Sequence, residues 1–242
     1  MSGSKTGATR LVHRAALAVA ISSLFAFTLA SCATSGESAV GSDGSDGASD
    51  PAEREEDVDD LDNSVPPRAN LQDGTPWDHW HAAFAIDVCG TELEPLEDGA
   101  VDPLGIHTHG DGLVHIHPFS RLASGERATL DRYFEQVGLT VTDDGLKLPE
   151  GVTHQGGDTF REGSTTCGGE EAELVLAVWD DATAVPLGDP DRVVTESIGD
   201  VRFTVDLAAF SLAFVPVGAG DAVAPPSSAA EIESLGAADG GS

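Results

Sequence analysis

The chain is poor in cationic side chains. It has 12 lysine and arginine residues against 42 aspartate and glutamate residues, a formal net charge of −30 over 242 residues. Such a charge repels nucleic-acid phosphates and excludes a nucleic-acid partner on electrostatic grounds. It also disfavours electrostatic docking on anionic lipid and attracts cations instead. High solubility or adaptation to salt would account for the same charge.

The chain also lacks an N-terminal apolar run of transmembrane length. The run from about Ala15 to Leu29 falls short of the roughly 20 residues that a spanning helix needs. It follows the basic residues Lys5, Arg10 and Arg14. A basic region followed by a short apolar region and small residues is the pattern of an export signal.

The small residues that end this pattern are Leu29-Ala30-Ser31-Cys32. This stretch resembles the lipobox of bacterial lipoproteins. The resemblance implies that residues 1–31 are removed and that Cys32 becomes the lipidated first residue of the mature chain. The lipid would then anchor the protein to the membrane on its extracytoplasmic face. An ordinary cleaved signal followed by a chance cysteine is the alternative.

Cysteine is scarce, with three residues in the whole chain. If Cys32 carries the lipid, Cys89 and Cys167 remain. Exported compartments permit disulfides, and two leftover thiols pair without remainder. The sequence therefore predicts a Cys89–Cys167 disulfide, with a pair of thiolate metal ligands as the alternative.

Composition divides the mature chain into three parts. Residues 32–74 are rich in Gly, Ser, Ala and acidic side chains, which predicts a disordered acidic tether. Residues 75–216 are long enough for one globular domain. Residues 217–242 are again small and acidic, which predicts a disordered tail with a weak helical tendency at 229–235.

The domain alternates strand and helix patterns. Residues 80–89 have the period of two that places Trp80, Phe84 and Ile86 on one face of a strand. A hairpin turning at 110–112, a helix over 125–137, a second hairpin over 139–148 and strands at 172–179, 200–205 and 210–215 follow. This order predicts an α+β fold with a mostly antiparallel sheet and one packed helix. It is similar to β-grasp domains, and a small β-sandwich with an inserted helix is the alternative.

Histidine is concentrated in the first third of this domain. Six of the eight histidines form three His-x-His pairs: His79/His81, His107/His109 and His115/His117. Residues i and i+2 of a strand face the same side, so each pair presents two imidazoles together. A hairpin with an odd loop places His107 opposite His115, close enough for both rings to bind one ion.

Neutral imidazole is a ligand for zinc, copper, nickel and iron. We therefore expect zinc or copper to bind His107, His109, His115 and His117, with His79 or His81 as additional ligands. Affinity would fall as the pH drops through about 6.5, the ordinary pKa of histidine. Alternatives are hydrogen-bonded sheet residues, a pH-responsive surface and a solvated face without a role.

Two longer stretches carry a further resemblance. Residues 78–83 read Asp-His-Trp-His-Ala-Ala and residues 107–118 read His-Thr-His-Gly-Asp-Gly-Leu-Val-His-Ile-His-Pro. They are similar to an uncharacterised domain of exported bacterial proteins. The resemblance implies a domain identity and no activity.

Three functions are consistent with these features. The first is a lipid-anchored extracytoplasmic protein whose His-rich hairpin binds a transition metal for sensing, capture or structure. The second is a non-catalytic interaction module in which the histidines are structural. The third is a zinc-dependent hydrolase, for which no positioned general base can be named, so a non-enzymatic role is favoured over catalysis.

Overall fold

The computed structural model describes residues 58–99, 101–184 and 186–239. The strands and α-helices, in chain order, are β1 Trp80–Val88, β2 Ile106–His107, β3 Leu113–Ile116, α1 Leu130–Val137, β4 Thr140–Thr142, β5 Gly145–Lys147, β6 Thr159–Arg161, β7 Thr166–Cys167, β8 Glu170–Trp179, β9 Arg192–Val194, β10 Ala208–Pro216 and α2 Ile232–Asp239. Short 3₁₀ turns lie at Val58–Asp60, Arg121–Ala123, Gly125–Arg127, Ile198–Asp200, Gly220–Ala222 and Ser227–Glu231.

Seven of these strands form one sheet in the order β2-β3-β1-β10-β8-β7, and β9 pairs with β8. β1 and β10 pair in parallel, whereas the remaining pairs of this sheet are antiparallel. Strands β4, β5 and β6 form a separate antiparallel sheet. The predicted α+β class with a mostly antiparallel sheet is confirmed, and the finer resemblance to β-grasp domains stays a prediction.

One face of the main sheet is apolar and packs against α1. The ring of Phe84 on β1 lies 5.0 Å from that of Tyr133 and 6.0 Å from that of Phe134, measured between centroids. Both aromatic residues belong to the stripe of α1 that the helical spacing predicts. The same core takes in Leu146 of the small sheet, so α1 and the small sheet cover this face together.

The opposite face is lined by smaller side chains and packs against the C-terminal segment. Ala83 and Leu113 pack there with Val223, Ala229 and Ile232 of that segment. The hydroxyl of Ser228 also donates to the carbonyl oxygen of Gly112 in the hairpin turn, at 2.8 Å. The sheet is therefore covered on both faces, and α2 is a second packed helix beyond the single one expected.

Residues 217–239 differ from the predicted disordered tail. Ile232 is 2% exposed and Ala229 is 5% exposed, because both pack on the small-residue face of the sheet. The backbone N–H and hydroxyl of Ser227 donate to the carboxylate of Glu92. The small side chains of this segment allow it to pack closely on the sheet. A composition of small and acidic residues is also typical of disorder, so composition alone does not predict this packing.

Residues 58–74 likewise differ from the predicted tether. Arg68 donates two side-chain hydrogen bonds to the carboxylate of Asp78, each 2.9 Å long. These bonds hold the pKa of Asp78 below its ordinary value, against the effect of burial. Ala69 is fully buried, and the N–H of Gly125 donates to the carbonyl of Pro67. The folded part therefore begins earlier than residue 75.

Two local predictions are also corrected. The helix begins at Leu130 and not at Gly125, because Gly125 has a φ of +56° and Thr129 is extended. Residues 201–205 form no strand. They lie beside the start of α1, where the N–H of Leu130 donates to the carbonyl of Val201 and Phe203 is fully buried.

Candidate metal centre

Three histidines form a row across three neighbouring strands. β2 pairs with β3 so that His107 lies opposite His115, and β3 pairs with β1 so that His115 lies opposite His81. The loop between β2 and β3 has five residues and keeps the odd register that the sequence favours. The row lies on the sheet face that α2 covers, since neighbouring Ala83 and Leu113 pack on that face.

A second pair of histidines continues this row toward solvent. His79 directly precedes β1 and His117 directly follows β3, so each is two residues from a member of the row. The ring centroid of His79 lies 4.9 Å from that of His81 and 5.0 Å from that of His117. The rings of His81 and His115 are 5.0 Å apart. The six imidazoles thus form one continuous cluster, which we call the histidine cluster: His79, His81, His107, His109, His115 and His117.

Within this cluster, His79, His81 and His115 meet the geometric requirement for a metal site. One ligand nitrogen from each lies within 4.8 Å of the others. Nitrogens on a common tetrahedral zinc ion lie about 3.3 Å apart, so closure by at most about 1.5 Å would bring them together. His115 is fully buried and His81 is 9% exposed, whereas His79 is half-buried. We call these three residues the histidine triad.

Two carboxylates orient rings of the cluster. Asp102 lies 2.8 Å from Nδ1 of His107, and Asp111 lies 3.1 Å from Nε2 of His115. Burial acts to raise the pKa of Asp102, but hydrogen bonds from His107 and from the backbone N–H groups of Gly105 and Leu104 outweigh it and hold the pKa below its ordinary value. Carboxylates that accept from the second nitrogen of an imidazole are typical of metal-binding histidines.

The C-terminal helix closes the cluster over His81. Gly236 of α2 packs on this ring so closely that a Cβ at position 236 would lie 2.7 Å from Nδ1 of His81. The backbone N–H of His81 donates to Asp206, which precedes β10, at 2.8 Å. The position of His81 is therefore set by its own strand, by the start of β10 and by α2.

The three histidines that the fold brings together differ from the predicted set of four ligands. The register of His107 against His115 is as predicted, but the triad joins His115 to His79 and His81, the two residues expected only as additional ligands. His107, His109 and His117 lie next to the triad, with ring contacts to His115, His115 and His79 respectively. The reason is that β3 pairs with β1, a long-range contact that the hairpin sequence does not reveal. His154 lies apart, beside Gln155 and Phe160.

Sequence reasoning missed Asp102, Asp111 and Gly236. Asp111 lies inside the Gly-Asp-Gly stretch, whose composition indicates a turn and gives no sign of contact with an imidazole. Asp102 precedes His107 by five residues, and among so many carboxylates its position carries no signal. Gly236 lies in the segment expected to be disordered.

The predicted disulfide is present. Cys89 and Cys167 are bonded, with their Cα atoms 5.1 Å apart and a sequence separation of 78. The bond joins the end of β1 to β7, at the opposite end of β1 from the histidine cluster. Closing so long a loop is worth about 4 kcal/mol in the chain-entropy account of disulfide stabilisation.

The predicted signal peptide, the predicted lipidation site Cys32 and most of the predicted tether lie outside the described residues. Among the residues that the structure does describe, no helix combines the length and apolar character needed to cross a membrane. Comparison with protein-family models, with curated proteins and with solved structures finds no match.

Proposed function

We propose that the domain binds a divalent transition-metal ion through His79, His81 and His115. The observation that carries this proposal is the approach of three imidazole nitrogens to within 4.8 Å of one another. Neutral imidazole is a good ligand for zinc and copper, which are the candidate ions. Asp111 supports the site, because its hydrogen bond to Nε2 of His115 fixes that ring and supplies negative charge beside the ion.

The burial of the triad favours a holding role over catalysis. His115 is fully buried and His81 is covered by Gly236, so an ion bound there is screened from solvent on the side of α2. Three protein ligands leave a fourth coordination position open, as in catalytic zinc sites, but the packing of Gly236 on His81 restricts access to the ion from the side of α2. Capture of an ion, or stabilisation of the fold by it, agrees with this arrangement.

We further propose that the protein acts on the extracytoplasmic face of the membrane, anchored through a lipid on Cys32. The support is the lipobox-like stretch that ends at Cys32, together with the Cys89–Cys167 disulfide, which suits an oxidising compartment. Replacing Cys32 by Ala tests the anchor. We expect the variant to leave the membrane fraction or to accumulate as an uncleaved precursor, and an unchanged membrane-bound mature form would contradict the proposal.

Metal binding is tested by calorimetric titration of the metal-stripped protein with zinc chloride. We expect one tight equivalent for the wild type and at least a hundredfold weaker binding for His81→Ala. His154→Ala is the matched control, because it removes an imidazole remote from the triad, and it should bind as the wild type does. Binding no tighter than that of exposed carboxylates, or equal binding by His81→Ala, would contradict the proposal.

An interaction module is the second candidate. Trp77 and Phe119 are 44% and 51% exposed and stand next to His79 and His117, whose rings they contact. Exposed aromatic side chains are enriched where proteins meet. In this alternative the imidazoles hold the sheet together. Absence of metal affinity, combined with clear destabilisation of the metal-free protein by His81→Ala, would favour it.

A further inference from the structure

The histidine cluster contains a second arrangement of nitrogens beside the triad. Nε2 of His107 and Nε2 of His109 face each other at 3.0 Å. His109 is exposed and His107 is 9% exposed, so the pair reaches the surface through His109.

The environment of His107 selects its metal-binding nitrogen. Asp102 accepts from Nδ1 of His107 at 2.8 Å and also accepts from the backbone N–H groups of Leu104 and Gly105. With the proton on Nδ1, Nε2 is the nitrogen that carries the lone pair. His109 then donates Nε2–H to it across the 3.0 Å gap. A carboxylate that holds an imidazole in this way is typical of a metal ligand.

The segment that carries both rings is held in place by hydrogen bonds from its backbone. The backbone N–H of Thr108, between the two histidines, donates to the carboxylate of Asp98 at 3.0 Å. The N–H of Gly110 donates to the hydroxyl of Thr108. Thr108 itself is 2% exposed. The separation of the two rings is thus set by a fixed backbone and not only by their mutual hydrogen bond.

On these grounds, and given the proposed function of the triad, we propose that His107 and His109 form a second metal site, so that the cluster holds two ions. An ion takes the place of the shared proton between the two Nε2 atoms, and that proton moves to Nδ1 of His109. The site is distinct from the triad because it uses neither His79 nor His81.

The separation of the two nitrogens indicates the type of ion. Two metal–nitrogen bonds of about 2.0–2.1 Å that span 3.0 Å enclose an angle of about 90–100°. A tetrahedral ion would separate the nitrogens by about 3.3 Å. Angles near 90° belong to square-planar and tetragonal coordination, which copper(II) and nickel(II) adopt. At 3.0 Å the pair matches copper(II) or nickel(II) without movement, and an opening of about 0.3 Å would suit zinc.

Two nearby ions also require compensation of their charge. His115 belongs to the triad, and its ring stacks on that of His109 with centroids 4.4 Å apart, so the sites are adjacent. Each site has its own carboxylate, Asp111 at His115 and Asp102 at His107. These two negative charges lower the repulsion between two divalent ions.

Titration of the metal-stripped full chain with copper(II) sulfate tests the proposal, with glycine present as a weak chelator to suppress binding to exposed carboxylates. We expect two equivalents for the wild type and for His154→Ala, and one for His109→Ala and for His81→Ala. His109 is exposed, so its replacement should leave the fold intact, and circular dichroism checks this. As a second variant, Asp102→Asn should weaken the second equivalent at least tenfold and leave the first within twofold.

The outcomes separate this inference from the proposed function. One wild-type equivalent that His109→Ala leaves unchanged would overturn the second site while the triad stands. One wild-type equivalent that only His109→Ala removes would support the His107–His109 site and overturn the triad. Two equivalents that persist in His109→Ala would also overturn the proposal, since the second ion would then bind elsewhere.

Discussion

The two faces of the main sheet are both buried, but by different means. The face under α1 is filled by large apolar and aromatic side chains such as Phe84, Tyr133 and Phe134. The face under the C-terminal segment has alanines beside a row of imidazoles, and Gly236 packs against the ring of His81. The first face is stabilised by burial of apolar area. The second leaves polar ring nitrogens inside the protein, and we infer that a bound ion adds to its stability.

The largest expected effect lies on the apolar face. Phe84→Ala should lower the free energy of unfolding by about 3–5 kcal/mol, because Phe84 is 6% exposed and its removal leaves a cavity against α1. Urea unfolding with and without zinc measures this. The loss should be equal in both conditions. A loss that depends on zinc would show that the two faces are coupled.

Zinc should instead stabilise the face of the sheet that carries the histidine row, which we call the imidazole face. At a free zinc concentration one hundred times the dissociation constant, binding to the folded state alone adds about 2.7 kcal/mol to the wild type. His81→Ala should lose this increment, while Phe84→Ala should keep it. The same unfolding experiment provides the readout. Retention of the full increment by His81→Ala would place the ion elsewhere.

A smaller effect is expected where α2 meets His81. Gly236→Ala would gain up to about 1 kcal/mol in helix propensity. It would also place a Cβ 2.7 Å from Nδ1 of His81, and overpacking of this kind costs about 1–3 kcal/mol. We expect a net loss of about 1–2 kcal/mol together with weaker zinc binding, measured by unfolding and calorimetry.

Ser234→Ala is the control for this substitution, since Ser234 lies on the exposed side of the same helix. It should leave zinc affinity unchanged. Stabilisation by Gly236→Ala would mean that α2 moves away from His81 at no cost. The role of α2 as a cover for the triad would then be wrong.

The smallest effect concerns Asp102 and depends on pH. Because its pKa is lowered in the folded state, the ionised carboxylate contributes stability above the unfolded value of about 3.9, and this contribution is lost as the pH falls through the folded pKa. Asp102→Asn should cost about 1 kcal/mol in the metal-free protein at pH 6, and the difference from wild type should shrink as the pH falls below the unfolded value and through the lowered folded pKa. Asp221→Asn, at an exposed carboxylate, should show no such difference. A constant difference between the wild type and Asp102→Asn across this range would exclude the ionic contribution.

The apolar face could be predicted from the sequence because its signals are local. The alternation along residues 80–88 and the spacing of Leu130, Tyr133, Phe134 and Val137 in α1 each follow from a single element. The helix ends at Gly138, whose left-handed backbone conformation is the one that glycine adopts readily after a helix. The disulfide followed from the cysteine count.

The imidazole face could be predicted only in part. The hairpin register of His107 and His115 is a local property and was predicted. The approach of His79 and His81 to His115 depends on the pairing of β1 with β3, across more than 30 residues of chain. The packing of α2 on this face depends on Ile232 and on Ala229 just before the helix. The surrounding segment is rich in small and acidic residues, and this composition does not indicate that it packs on the sheet.

The most direct test of the central claim is a crystal structure of the zinc-loaded protein with anomalous difference maps measured at the zinc absorption edge. The account predicts a peak about 2.0–2.1 Å from one ring nitrogen each of His79, His81 and His115, beneath Gly236. Anomalous peaks confined to exposed carboxylates, with the three rings in place and no peak between them, would contradict it.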